Sequence, residues 1–262
     1  MCGIAGLITP SLSPEVRREA VGRMCDAMIH RGPDDGGIST EGDATLGMRR
    51  LAIFDPVNGR QPMQSPDGRL TLVFNGAIYN FRDLRRQLAG IWEFRTECDT
   101  EVLLAAFARW GEACVPKLRG MFAFALWDAR KKELWLVRDR LGVKPLYYSM
   151  HHGRLNFASE IKALLQDPDQ ERKVNEEALL DYMSFLTTPA PNTLFSGIKK
   201  LSCATWLRVG PDGMSTEHRY WDVLDHMSSL QDVPDEQLAA MVLSELRTAV
   251  KLRKVSDVPV GV

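Results

Sequence analysis

The chain has 262 residues, a net charge of −1, 45% apolar and 26% charged residues, the profile of an ordinary globular protein of one to two domains. That charge gives no general pull toward nucleic acid or membrane, and no stretch approaches the ~20 apolar residues of a membrane span. Five cysteines at irregular spacing, with no CxxC pair, no zinc pattern and no visible signal or transit peptide, read as a cytoplasmic protein with no metal site.

In chain order, GIAGLI (3–8) predicts a short buried strand. SPEVRREAVGRMCDAMIH predicts a helix, with Ser13 as N-cap, Pro14 at the first helical position, and Val16, Ala20, Met24 and Ala27/Met28 as its apolar face. RGPDDGG reads as a turn-rich loop. ATLGMRRLAIFD and LTLVFNGAIYN follow as strands, flanking the turn SPDGR. FRDLRRQLAG and DTEVLLAAFARWG are helices stopped by Gly90 and Gly111, and Asp99 is a candidate N-cap for the second. MFAFALWDARKKELWLVRDR and PLYYSMHHGRLNFASE each read as strand, turn, strand, and SEIKALL opens a further helix. The Phe122/Phe124/Trp127 stripe alternates as core residues of a strand do.

TTPAPNTLFSGIKKL reads as a long ordered loop, ATWLRVGPDGMSTEHRYW as a hairpin turning at Pro211–Gly213, and SSLQDVPDEQ as a linker. Asp235 to Arg253 form an amphipathic helix with Leu238, Val242, Leu246 and Val250 on one stripe. SDVPVGV looks like the start of a buried parallel strand. Too little sequence follows to cover helix and strand, so these residues are expected to be the front part of a longer polypeptide. The helix packing back on the preceding domain is the alternative. Overall the pattern predicts layered α+β architecture, with sheets sandwiched by helices.

Cys2 carries the chemistry. A small second residue usually permits trimming of the initiator methionine, which would leave a thiol and a free α-amine on one residue. The thiolate is the nucleophile, and the amine can take the thiol proton and later return it to a leaving amine. Such a centre needs donors for a tetrahedral oxyanion, worth roughly 3–4 kcal/mol each in favourable cases. Read alone, Cys2 is a second residue of no consequence, and the other four cysteines are small core fillers. The histidines show no ligand spacing, and Arg138, Arg140 and Lys144 admit a phosphate patch or a structural role.

MCGIAGL, HRGPDDGG, LGMRRLAIFD, QPM, VFNGAIYN, DTEVLL, RGMFAFALWD, RDRLGVKPLYY and SEIKALL occur in the order found in class II glutamine amidotransferases. The chain most resembles the glutamine-hydrolysing asparagine synthetase group. The resemblance implies a four-layer αββα sandwich of antiparallel sheets, of the N-terminal nucleophile hydrolase type. It puts a glutaminase domain at 2–213, followed at 214–262 by a linker, a helix and the first strand of an α/β synthetase domain. Position by position it implies Cys2 as nucleophile, Asn75 and Gly76 as the oxyanion pair, and Arg50 for the glutamine α-carboxylate. Leu51, Ala52, Ile53 and Phe54 run along the pocket, Asp99 takes the α-ammonium, and Arg31, Gly32, Pro33 and Asp34 form a positioning loop. Arg50 as a structural salt-bridge partner is the bland reading. Ala77 stands where the group usually has Glu, which implies weakened or re-tuned glutamine binding.

The implied partners are glutamine and, at the synthetase domain, a carboxylate acceptor (aspartate or an analogue), with a homodimer admitted and neither nucleic acid nor membrane involved. No cofactor is implied for this part. ATP and Mg²⁺ are implied for the synthetase domain, whose SGGxDSS pyrophosphate loop is not in the sequence. The alternatives are a glutamine-sensing or scaffolding module without turnover, a terminal-cysteine hydrolase of a different amide, and an amidotransferase whose acceptor is not aspartate.

Overall fold

The computed structural model describes residues 1–227 and 233–258. Its strands are β1 (Gly3–Ile8), β2 (Asp35–Glu41), β3 (Ala44–Arg50), β4 (Met63–Gln64), β5 (Leu70–Ile78), β6 (Gly120–Asp128), β7 (Glu133–Arg138), β8 (Tyr147–His151), β9 (Arg154–Ala158), β10 (Ile198–Lys200), β11 (Thr205–Val209) and β12 (Ser215–Arg219). Its helices are α1 (Pro14–Asp26), α2 (Phe81–Leu88), α3 (Asp99–Trp110), α4 (Ile161–Leu164), α5 (Glu176–Phe185) and α6 (Asp235–Arg253). The strands form two six-stranded sheets, ordered β10-β8-β9-β1-β3-β2 and β12-β11-β7-β6-β5-β4. Every strand pair within them is antiparallel.

Three apolar cores separate four layers, because strand side chains alternate between faces. On β6, Phe122, Phe124 and Leu126 meet α2 and α3, while Ala123, Ala125 and Trp127 meet the other sheet. Trp127 therefore lies on the face opposite Phe122 and Phe124, since its position differs from theirs by an odd number. Ile4, Leu46 and Met48 supply the first sheet's side of the inter-sheet core. Ala5 and Leu7 of β1 turn outward to Val21, Met24 and Met28. Burying each of the Val, Leu, Ile, Met and Phe side chains among them stabilises by about 1.5–3 kcal/mol.

The hairpins β6–β7, β8–β9 and β11–β12 form where predicted. α1 starts as expected: Ser13 Oγ accepts from the Val16 N–H at 3.4 Å and Pro14 is the first helical residue. Its buried face differs. It consists of Arg17, Val21, Met24 and Cys25, with Val16 exposed. The Arg17 guanidinium is buried because it donates to the carbonyls of Thr9, Leu12 and Gly42, a role no apolar count detects. β2 forms within the stretch read as a turn-rich loop, as an edge strand satisfied by β3. β3 ends at Arg50, so LAIFD is loop rather than strand. α4 is a single turn, α5 forms in a segment that carried no prediction, and β10 forms inside the predicted long loop.

Asp99 is the first residue inside α3, and Cys98 occupies the N-cap, so the N-cap expectation for Asp99 is corrected. The first half of the predicted linker, 228–232, lies outside the described residues, and its last three residues, 235–237, begin α6. The predicted last strand reaches 259–262, also outside them, and residues 255–258 form no strand. α6 forms over the predicted range with no residue buried.

Candidate functional site

β1 ends the inter-sheet core with Cys2, and the strand is held on both sides. Gly3 pairs with Arg49 of β3, and Ile4 exchanges hydrogen bonds with Ser159 just after β9 (3.0 Å to its Oγ, 2.9 Å from its N–H). The Cys2 carbonyl accepts from Arg31 Nε at 2.9 Å, and Arg31 Nη1 donates to Glu160 at 2.9 Å. The sulfur is held by Leu51: its N–H donates to Sγ at 3.4 Å, and the thiol donates to its carbonyl at 3.6 Å. Burial pushes the Cys2 thiol above its ordinary value, against the pull of the Leu51 backbone and the positive charges nearby. Burial thus favours the neutral thiol, and turning it into a nucleophile calls for a base.

Opposite Cys2, the middle of β5 supplies Asn75 and Gly76, in register with Ala123 and Phe122 of β6. Asn75 is 1% exposed, and its Nδ2 has no hydrogen-bond partner among the described residues. An unpaired buried amide donor costs about 1–3 kcal/mol, so a bound acceptor would recover that cost. Gly76 is required by space, because a Cβ there would lie 2.3 Å from the Met121 carbonyl oxygen.

The same cleft is lined by Arg50, Leu51, Ile53, Phe54, Ala77 and Asp99. Ala52 does not line it: its N–H turns back to Asp34 Oδ2 at 2.9 Å. Arg50 makes no salt bridge among the described residues. It donates to the carbonyls of Phe54, Asp55 and Pro56 at 2.8–3.0 Å, which pins the loop following β3. Three of its five N–H groups are used in this way, leaving Nε–H and one on Nη1 for a ligand. Asp99 is sealed at the N-terminus of α3, where its carboxylate accepts from the Ile78 N–H at 2.9 Å. Burial raises it to about 7 despite the N–H groups of Ile78, Thr100 and Asp99 and the charge of Arg50.

The turn at residues 31–34 runs alongside β3, with Asp34 N–H donating to the Arg50 carbonyl. Gly32 permits this approach, since a Cβ would lie 2.3–2.4 Å from Arg49 and Arg50 backbone atoms. Gln61, Phe74, Thr100, Met121 and Lys144 also line the cleft without having been singled out for it. The quoted QPM run contains Gln61, which accepts from the Phe74 N–H at 2.7 Å and donates to Thr100 at 3.3 Å. The sequence offers Lys144 for a phosphate patch or a structural role and gives no sign of its place beside Cys2, to which a turn 142 residues downstream brings it. Among the described residues no group of three or more His, Cys, Asp or Glu is placed to hold a metal ion. Likewise, no helix is long and apolar enough to cross a membrane.

Together, the layers and the cleft describe a four-layer α+β sandwich with a thiol just before its first strand. The fold is shared with glutamine phosphoribosylpyrophosphate amidotransferase from Bacillus subtilis, solved with ADP and GMP. That match has a TM-score of 0.58 and 20% identity, over 84% of this chain and 49% of that one. The sequence model of the family described as "Glutamine amidotransferase domain" matches residues 1–221. The chain belongs to this family, as a class II glutamine amidotransferase of asparagine synthetase type. It is 38% identical to asparagine synthetase [glutamine-hydrolyzing] 3 of Bacillus subtilis strain 168, over 99% of this chain and 42% of the relative. Against asparagine synthetase [glutamine-hydrolyzing] 1 of the same organism, identity is 36% over 100% and 41%. The chain thus spans about two fifths of the length of the curated relatives it matches.

Proposed function

We propose that this chain hydrolyses glutamine to glutamate and ammonia through a thioester on Cys2. The observation that carries the reading is the buried, unpaired Asn75 amide in the cleft that holds the Cys2 sulfur. After removal of Met1, the Cys2 α-amine takes the thiol proton. The sulfur then attacks the side-chain amide carbon of glutamine, and the C=O electrons move to oxygen. Asn75 Nδ2–H and the Gly76 N–H stabilise that oxyanion. When the oxyanion collapses, the C–N bond breaks and the ammonium returns its proton to the departing nitrogen, giving ammonia and the γ-glutamyl thioester. Water, deprotonated by the same amine, attacks the thioester carbon and expels the sulfur, which recovers its proton as glutamate leaves.

Arg50 holds the substrate α-carboxylate through its two uncommitted N–H groups. Asp99 takes the α-ammonium, which favours its ionised form. Leu51, Ile53 and Phe54 line the path of the side chain, and residues 31–34 hold the nucleophile's backbone.

The reading extends, on the resemblance, to a glutaminase domain at 2–213 and to residues 214–262 leading into a synthetase domain. That domain would use ATP and Mg²⁺ to activate a carboxylate, aspartate or an analogue, and receive the ammonia. A homodimer and a cytoplasmic location complete the proposal; five cysteines that all stand as free thiols are consistent with a reducing compartment.

The test is treatment of the purified chain with 6-diazo-5-oxo-norleucine, followed by intact mass and a glutaminase assay. A covalent adduct on a Met-trimmed chain that turns over glutamine supports the proposal. A retained methionine or an unreactive Cys2 would indicate a sensing or scaffolding module. A trimmed cysteine that alkylates with iodoacetamide yet ignores glutamine would indicate a different amide substrate.

A further inference from the structure

Lys144 is a buried cation that makes no salt bridge among the described residues. It is 5% exposed and lines the same cleft as Cys2. Among the described residues its Nζ has one hydrogen-bond acceptor, the Met1 sulfur at 3.2 Å. An ammonium removed from water without a carboxylate partner is costly, so its place calls for a compensating role. The backbone there is tightly held. The Lys144 N–H donates to Asp139 Oδ2 at 3.0 Å, and its carbonyl accepts from Arg138 Nε at 2.8 Å. Asp139 is itself tied to β6 through the Phe122 N–H and carbonyl. Gly142, with φ +64°, lets the turn fold back. The run RDRLGVK thus aims one ammonium at the chain's N-terminus.

We propose that Lys144 is an electrostatic positioning residue for Cys2. Its ammonium repels a proton from the Cys2 α-amine and attracts the sulfur as thiolate, keeping base and nucleophile in their working forms. The proposal rests on the reading of Cys2 as a Met-trimmed nucleophile. The other charged groups facing this centre are Arg31 from the turn before β2, Asp34 in that turn, Arg50 at the end of β3, Asp99 at the start of α3, and Asp139 in the turn of Lys144 itself. The acids are otherwise engaged: Asp34 with the Ala52 N–H, Asp99 with that of Ile78, and Asp139 with its own turn and β6. Arg31 is committed to the Cys2 carbonyl and Glu160. Arg50 spends three N–H groups on the loop after β3, whereas Lys144 donates through Nζ to no protein oxygen among the described residues and acts on the amine and sulfur beside the two arginines. Burial pushes its own ammonium below the ordinary lysine value, Arg31 adds to that, and the charges of Cys2 and Asp139 pull it back up.

The test compares the full 262-residue chain with its Lys144→Met and Lys144→Arg variants. The pH dependence of kcat/KM for glutamine and of Cys2 alkylation by iodoacetamide are both recorded. In Lys144→Met the acidic limb of kcat/KM and the alkylation midpoint should each move up by about one pH unit, with the rate recovering at high pH. Lys144→Arg should follow the native profile. A Lys144→Met profile that superimposes on the native one, or is lowered equally at every pH, overturns the proposal. So does a Lys144→Arg variant that behaves like Lys144→Met. Alkylation needs no glutamine turnover, so it judges Lys144 even if the native chain proves inactive as a glutaminase; that second result would instead sink the proposed function. A thermal unfolding midpoint on each variant separates loss of fold from loss of charge.

Discussion

Asp99, in its proposed role as partner of the glutamine α-ammonium, would tie binding to pH through one buried side chain. Its carboxyl stands at about 7 in the folded chain and near 3.8 as an ordinary aspartate. Between about pH 4 and pH 7 the folded state therefore holds a proton that the unfolded state has released. Stability should fall as pH rises through this window and level off above it. Asp99→Asn should flatten that slope and raise the urea midpoint above pH 7, while weakening glutamine binding at least tenfold. In the native chain, KM should rise as pH drops below 7, where Asp99 is neutral and cannot pair with an ammonium. A native urea midpoint that climbs from pH 5 to 8 would contradict the assignment. Ala77, on the same wall, lacks a charged acceptor. Ala77→Glu should lower KM for glutamine about tenfold with kcat little changed, since a charged hydrogen bond is worth about 1.5–3 kcal/mol. Both residues were legible from the order of motifs. The burial that tunes Asp99 was not, because it comes from the closure of α3 on β5.

At the scale of elements, the turn at 31–34, the start of β1 and the end of β9 form one clamp around Cys2. Glu160 joins them, receiving Arg31, His30 and Lys162. Burial would raise its carboxyl, but those hydrogen bonds outweigh burial and hold it at about 2. Its stabilising share is therefore present above the ordinary glutamate value of 4.5 and is lost as pH falls toward 2. Glu160→Gln should cost about 2 kcal/mol at pH 7, with the difference from the native chain vanishing near pH 2 in chemical denaturation. It should also slow Cys2 alkylation by releasing Arg31. The sequence marked HRGPDD and SEIKALL as separate motifs, and their joining by an ion pair is a tertiary event. α1 teaches the converse: Ser13 and Pro14 announce its start locally, while its buried face depends on three loop carbonyls that recruit Arg17.

For the whole molecule, the four layers leave the cleft at the edge of the inter-sheet core and leave α6 on the outside. Val242, Leu246 and Val250 are half or more exposed, yet Arg253 stacks on Tyr79 and Asp257 binds the loop that Arg50 holds. Replacing Leu246 and Val250 with Gln should shift the thermal midpoint of this chain by no more than a degree or two, since exposed positions change stability by about 0.5 kcal/mol or less. A large drop would mean that the stripe is covered in solution.

Alternation of apolar residues, cap residues and turn glycines set the strands, the hairpins and the helix starts, because these depend on neighbours a few residues away. The order of short motifs pointed to the class of chemistry, because each motif keeps its own local shape. Only the tertiary structure decided that Asn75 keeps a buried unpaired amide beside the Cys2 sulfur, that Arg50 divides its donors between loop and cleft, and that Lys144 stands at the N-terminus. Those facts depend on desolvation and on through-space charge between segments far apart in the chain, and no local pattern of residues encodes them.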